Sequence, residues 1–521
     1  MILRAGKRGP APRLNNQTGT TTSPANAAAH SFLTGSRHTD MQNILYVNTV
    51  SAGGGAAAVM QQLRRLMARR GLHTPLLTGR PAPGEDRALR RQEYGGLFSW
   101  CRWRGLLDYH VRKSHALAEH PFFQAADLVH LHNLHAGYFN LWSLPLLTAR
   151  KPAVWTLHDM QALTGHCAAS LECERWLPQT GCGDCPRLDL YPRLWRDATR
   201  RLWQDKRILY AHSSLHLVTP SVWLQRLTEK SLLQDLPLTC IPNGVDTAIY
   251  RPQDKAEARR QLGLPQDALL VGGCADGGLA NPWKGGHYVV QAVQTLKKEF
   301  AGLVFLNIGV KTIPTALQAD WIRHIPYVQD ERKLATLYAA LDLLLYPTLA
   351  DNHPLVCIES LCCGTPVAGF ATGGVPEIVR HGQDGLLAPT HAVEDLIQNA
   401  VRLLRDADMR RRMGQEGADG AARRYHLDLF ARRYENVYEE ALRRPLSPRA
   451  GLPLRAVPAV VRGPAFLRQH WRTCPPVTAG ERLAWLARGL TGSLCQAAAS
   501  LLGWPLQIVR LVRSRLNRHR A

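Results

Sequence analysis

The chain has 521 residues, 45% hydrophobic and 20% charged, which are the proportions of a globular protein and too much chain for one ordinary core; length alone implies about two to four domains. Its 64 basic and 41 acidic side chains give +23, but residues 441–521 hold 14 Arg against one Glu (Glu481), so 13 of those charges belong to the tail. A charge excess confined to one end excludes little by itself, since polybasic surfaces attract nucleic acid and anionic lipid alike.

Residues 1–40 are polar and lack the apolar run of a signal peptide, which predicts a disordered extension and a cytoplasmic address. Met41, directly before the first strand-like run, is a candidate start. In a reducing compartment, the twelve Cys are expected as core residues, thiols or metal ligands rather than disulfides.

From Asn43 onward, short apolar runs alternate with helix-length segments, the pattern of parallel sheets with crossover helices. NILYVNTV (43–50) reads as a strand, SAGGGA as a turn and AAVMQQLRRLMARRG as a helix closed by Gly71. Further strands are expected at 72–79, 127–133, 153–159, 215–220 and 238–243. A second series follows a Pro-rich, charged stretch near 251–266: strands at 268–274, 303–309, 342–348 and 365–371, with a helix at 286–300. Helices at 393–406 and 426–442 close the fold. The prediction is therefore an α/β chain with two Rossmann-like doubly wound domains, 41–245 and 246–425, facing a central cleft. A closing helix (426–444) and a basic amphipathic tail (445–521) follow. Within that tail, the 21 residues 489–509 carry no charge and are flanked by Arg488 and Arg510. Polar residues and Pro505 within it favour an interfacial anchor over a membrane span or soluble packing.

The stretch ADNHPLVCIESLCCGTP (350–366) places Asp351 in a loop before a helix expected from Pro354 at its first position to Cys363, with Gly364 after its end. Glu359 stands inside that helix among apolar residues, and a buried unpaired carboxylate is costly. It therefore needs either a cationic partner or a ligand. A nucleotide diphosphate sugar matches the span: sugar at the Asp351 loop, phosphates at the helix N-terminus, ribose hydroxyls at Glu359. The competing reading is a capping Asp and a core Glu. The Gly53-Gly54-Gly55 loop after the first strand suits either a phosphate or a tight strand-to-helix turn.

These residues, with GTPV (364–367), GGVPE (373–377), HGQDGLLA (381–388) and IPNGVDTAIYRP (241–252), resemble the motif order of retaining GT-B glycosyltransferases of family 4, over roughly residues 43–442. The resemblance implies that Glu359 binds the donor ribose, that Asp351 takes the first acidic position near the transferred sugar, and that Lys284 in NPWKGG neutralises the donor diphosphate. Gly54, Gly55, Asn352, His353, Pro354 and Leu355 complete the expected donor-binding set. Asp351 replaces the usual Glu, and Leu279 replaces the family's arginine. In WTLHDM, His158 and Asp159 match pairs that face donor sugar and acceptor, and with Asp351 they form the expected catalytic set. His130, His132 and His135 nearby are read as acceptor-side residues, a metal site or a polar strand end.

Cys167, Cys173, Cys182 and Cys185 have the spacing C-x5-C-x8-C-x2-C, which suggests a structural zinc knuckle or free thiols. This segment resembles the Cys-containing insertion of the family members near colanic acid clusters. No cofactor is expected for catalysis. The implied function is transfer of a sugar from a nucleotide diphosphate sugar to a growing, lipid-linked glycan, with retention, in cell-surface polysaccharide biosynthesis. The implied place is the inner face of the plasma membrane, with the tail on its anionic surface and no nucleic acid partner. The competing readings are a nucleotide-sugar epimerase or glycan phosphorylase of the same architecture and a basic nucleic-acid-binding protein.

Overall fold

The computed structural model describes residues 41–81, 96–274, 282–310, 318–446, 452 and 454–473. The N-terminal extension, Leu279 and the uncharged segment 489–509 lie outside these residues. Twelve strands form two parallel six-stranded sheets. The first holds β1 (Ile44–Val50), β2 (Leu76–Arg80), β3 (Leu128–Leu131), β4 (Ala153–Thr156), β5 (His216–Thr219) and β6 (Leu238–Cys240), in the order β2-β1-β3-β4-β5-β6. The second holds β7 (Leu269–Cys274), β8 (Leu303–Val310), β9 (Ile322–Pro326), β10 (Leu343–Tyr346), β11 (Val367–Phe370) and β12 (Gly385–Ala388), in the order β12-β11-β10-β7-β8-β9. β9 and β12 are strands that the apolar-run reading passes over. β9 mixes polar with apolar residues, β12 is only four residues long, and they pair only at the sheet's two edges.

Each sheet reverses its order once, between β1 and β3 and between β7 and β10. Loops leaving the C-terminal ends of strands on either side of such a reversal diverge to opposite faces and open a crevice. The two crevices receive Gly53–Gly55 and Asn133–His135 in the first half, and the 282–284 turn and the 347–354 loop in the second.

The helix Leu427–Arg443 returns from the second half to the first. Its Phe430, Ala431, Tyr434, Val437 and Tyr438 are buried in one core with Ile44, Tyr46, Met60, Leu63 and Val154. Its hydroxyls also satisfy the sheet's polar groups: Tyr438 with His130 Nδ1 at 2.8 Å and Tyr434 with Thr156 Oγ1 at 3.0 Å. His130 is thereby a fully buried structural residue, since its Nε2 is held by Thr156 Oγ1 at 2.8 Å.

The start of the expected tail is part of the folded body. Leu452, Val457, Val460, Val461, Phe466 and Leu467 join the core of the first half, and the helix Pro464–Thr473 packs on the segments 113–119 and 144–148. Pro and Gly density misled the reading here, because short apolar pairs between them supply the burial. Among the described residues no helix is long and apolar enough to cross a membrane.

Replacing Phe430 by Ala removes a ring that is 2% exposed at the joint of helix and sheet. We expect a loss of about 3–5 kcal/mol, measured by denaturant unfolding.

Candidate functional site

A cavity of about 590 Å³ lies between the two crevices, lined by Gly53–Gly55, Arg80, Asn133, His135, Asp159 and Tyr191 from the first half and by Trp283, Lys284 and Ala350 from the second. Gly53 and Gly54 have φ of +86° and +78°, a backbone that L side chains avoid. The helix Gly55–Arg69 starts there with no side-chain cap, so its first N–H groups face the cavity.

On the second half, Lys284 Nζ donates to Asp351 Oδ2 and lies 3.4 Å from the Tyr346 hydroxyl. Tyr346 itself donates to Asp351 Oδ2 at 2.5 Å. The ammonium expected on a diphosphate and the carboxylate expected beside a sugar are thus paired with each other. Tyr346, the last residue of β10, carried no signal in the sequence beyond strand patterning.

The helix following the loop is Leu355–Cys362, with Pro354 at its N-cap and Gly364 at φ +80° beyond its end. Pro354 is therefore one position earlier than predicted, and Leu355 is the first helical residue. Glu359, 9% exposed, has no cationic partner among the described residues: Tyr338 donates to its Oε2 at 3.1 Å and Tyr250 also hydrogen-bonds it. Burial pushes its carboxyl from 4.5 up to about 7, against the lowering effect of the Tyr338 hydroxyl, with Glu331 raising it further.

Asn352 and His353 make contacts to the first half of the chain. Asn352 Oδ1 accepts from Ser221, and its Nδ2 donates to the carbonyls of Leu157 and His158 at 3.4 and 3.2 Å. The His353 carbonyl accepts from Asn243 at 2.9 Å, and its ring, held neutral by burial with a pKa lowered to about 3, packs on Tyr425. Glu377 of the GGVPE stretch accepts from the backbone N–H of Val222 and Trp223 at 2.8 and 2.6 Å, capping a helix of the other half. Through these contacts the Asn352 side chain and the His353 carbonyl tie the halves together. Gly374 is required there, because a Cβ would collide with the Asn352 carbonyl.

On the first half, His158 Nε2 meets His132 Nδ1 at 2.9 Å, and burial lowers its pKa to about 4. Asp159 faces the cavity and holds His135 Nε2 at 3.0 Å, while the Tyr191 hydroxyl lies 3.3 Å from His135 Nδ1. Burial opposes ionisation of Asp159, but His135 and the Gln161 N–H hold its carboxyl below the usual range. His135 rather than His158 is the imidazole lining the cavity. Strand alternation could not show this, since His135 lies in the loop after β3.

The four Cys of 167–185 lie in one loop region, and the thiols of Cys182, Cys185 and Cys173 act on Cys167, whose pKa burial raises to about 12. Cys182 Sγ accepts from Gly165 N–H at 3.2 Å and Cys185 Sγ lies 3.6 Å from His166 Nε2. Among the described residues no group of three or more His, Cys, Asp or Glu is arranged to hold a metal ion.

Residues 53–249 match the family model described as Glycosyltransferase Family 4, and residues 274–406 the model described as Glycosyl transferases group 1. A D-inositol 3-phosphate glycosyltransferase from Mycobacteroides abscessus is 36% identical over 165 residues, 29% of this chain and 35% of its own length. The chain thus spans about a third to a half of the inositol-phosphate relatives it matches. The glycosyl transferase WcaC of Escherichia coli, named for colanic acid biosynthesis, is 26% identical over 375 residues, 65% of this chain and 85% of its own. Anabaena HepE, solved with UDP-glucose, superposes with a TM-score of 0.51 at 16% identity, over 76% of this chain and 99% of its own, a likeness of fold.

The raised Glu359 pKa has a sign. Below pH 4.5 the carboxyl is protonated folded or unfolded; between 4.5 and about 7 only the unfolded chain ionises, so native stability falls as pH rises. Glu359→Gln removes that loss. Thermal unfolding should show the variant gaining on the wild type between pH 5 and pH 8, and a constant difference would contradict the assignment.

Proposed function

Because the chain belongs to the family 4 glycosyltransferases of GT-B fold, we propose that it moves a sugar from a nucleotide diphosphate sugar to a growing glycan with retention at the anomeric carbon. The observation that carries this reading is the Lys284–Asp351 pair at the mouth of the cavity, in the loop that leads into the helix bearing a buried Glu359 held by tyrosine hydroxyls. The donor diphosphate displaces Asp351 from Lys284 and takes the ammonium together with the free N–H groups at Leu355 and Val356. Ribose hydroxyls donate to ionised Glu359 in place of the tyrosines. Asp351, released, turns to a sugar hydroxyl.

The bond from the anomeric carbon to the diphosphate then breaks, and charge builds on a leaving group already held by a fixed cation. The acceptor oxygen attacks from the same face and gives its proton to the departing phosphate oxygen. Asp159 and His135 orient that acceptor hydroxyl, and His158 supports the wall through His132.

A lipid-linked acceptor, a role in cell-surface polysaccharide biosynthesis and attachment to the inner membrane face through the basic tail belong to the same proposal. They are supported by the tail's charge and by the likeness to WcaC. Zinc at Cys167, Cys173, Cys182 and Cys185 is proposed on spacing alone, and metal analysis of the purified protein decides it.

Thermal stabilisation of the full chain against UDP-, GDP- and ADP-sugars tests the donor. One class should raise the unfolding temperature, and Glu359→Ala should abolish the rise; no rise with any class, with the variant unchanged, contradicts the proposal. Conversion of the donor without an acceptor would favour the epimerase reading. Asp351→Asn frees Lys284 and should tighten nucleoside diphosphate binding several-fold while lowering kcat by about 100-fold or more, whereas Lys284→Ala should lower both binding and kcat.

A further inference from the structure

The helix Gly96–Trp103 and the segment 191–198 form one surface at the rim of the cavity. Gly105 has φ +70°, and a Cβ there would collide with the Arg196 carbonyl, so the two segments lie in backbone contact. From this joint the chain exposes its largest aromatic rings: Trp103 is 51% and Trp195 63% solvent-exposed. Exposure of two indoles side by side is costly unless something covers them.

Guanidinium groups surround both rings. Arg102 lies 4.4 Å from the Trp195 ring centre, and Arg196 and Arg104 lie 5.6 and 5.9 Å from that of Trp103. Arg193 is exposed between them. Among the described residues none of these four arginines forms an ion pair. The nearest acidic side chain in the segment, Asp197, is taken by the N–H groups of Cys185 and Thr199. Arginines gathered around two exposed indoles, with no close ion pair among the described residues, call for an anionic partner with an apolar depth.

We propose that this Trp–Arg surface is a docking site for an anionic lipid bilayer, separate from the basic tail. Indole rings settle at the headgroup level, with their apolar body inward and N–H outward, and arginines at the same level bind lipid phosphates. Stacked nucleic acid bases are the poorer fit, because stacking needs a free ring face and Arg102 covers that of Trp195. The geometry also gives the site a use. Tyr191 belongs to the same segment and lines the cavity beside His135, so a bilayer seated on Trp103 and Trp195 lies next to the acceptor side. The proposal extends the reading of a membrane-held acceptor but is measured without any transfer reaction.

The test uses the full chain with phosphatidylglycerol-containing vesicles and with pure phosphatidylcholine vesicles. Trp103→Ala with Trp195→Ala should weaken sedimentation with the anionic vesicles by about ten-fold, while nucleoside diphosphate binding stays as in the wild type and reports an intact fold. Arg102→Gln with Arg196→Gln should do the same. Hydrogen exchange should slow in segments 96–104 and 191–198 when anionic vesicles are added, which separates this surface from the tail. Unchanged vesicle binding in both variants, protection confined to residues beyond 473, or equal protection by a single-stranded oligonucleotide would each overturn it.

Discussion

An ammonium and a carboxylate that share a half-buried cleft attract each other whenever no other anion is present. The Lys284–Asp351 pair therefore sets the resting state of this site. Asp351 accepts from both Lys284 and Tyr346, and the carbonyl of the same residue accepts the Gly374 N–H at 3.1 Å. The next residue, Asn352, crosses to the other half. One short loop thus carries both the charge that a donor must displace and the bonds that hold the halves in register. A diphosphate that opens the pair acts on the loop that joins the domains, which couples donor occupancy to the shape of the cleft.

Glu359 follows a different logic. Its carboxyl is buried without the compensating cation that a structural ion pair would have, and two tyrosine hydroxyls are what hold it. Such a group is tuned near neutrality by desolvation. It accepts hydroxyl donors best when ionised, so ribose binding and deprotonation reinforce each other. The apolar run around it, Cys357, Ile358 and Leu361, is what keeps water away.

The parallel sheets were legible because buried strands such as LLLY of β10 are continuous apolar runs, and the Gly364 stop was legible because only glycine suits its φ. The edge strands β9 and β12 were not, since β9 carries Arg323 and His324 and β12 is only four residues long. Asp351, Glu359 and Lys284 were singled out through the family resemblance. The pairing of Lys284 with Asp351 was not legible, because positions 284 and 351 meet only through the β7–β10 order reversal. The contacts of Asn352 and His353 with Ser221, Leu157 and Asn243 were not legible either, because those partners lie more than a hundred residues away in sequence. His135 was named among three histidines without its place in the cavity, and the Trp–Arg surface was hidden by the distance in sequence between 103 and 195.

The account rests on where a nucleoside diphosphate sits. A structure of the complex tests it most directly: the diphosphate should contact Lys284 Nζ and the N–H groups at the start of Leu355–Cys362, the ribose hydroxyls should meet Glu359, and the Lys284–Asp351 pair should be open. A nucleotide bound elsewhere, with that pair closed and Glu359 still held by Tyr338 and Tyr250, would contradict it.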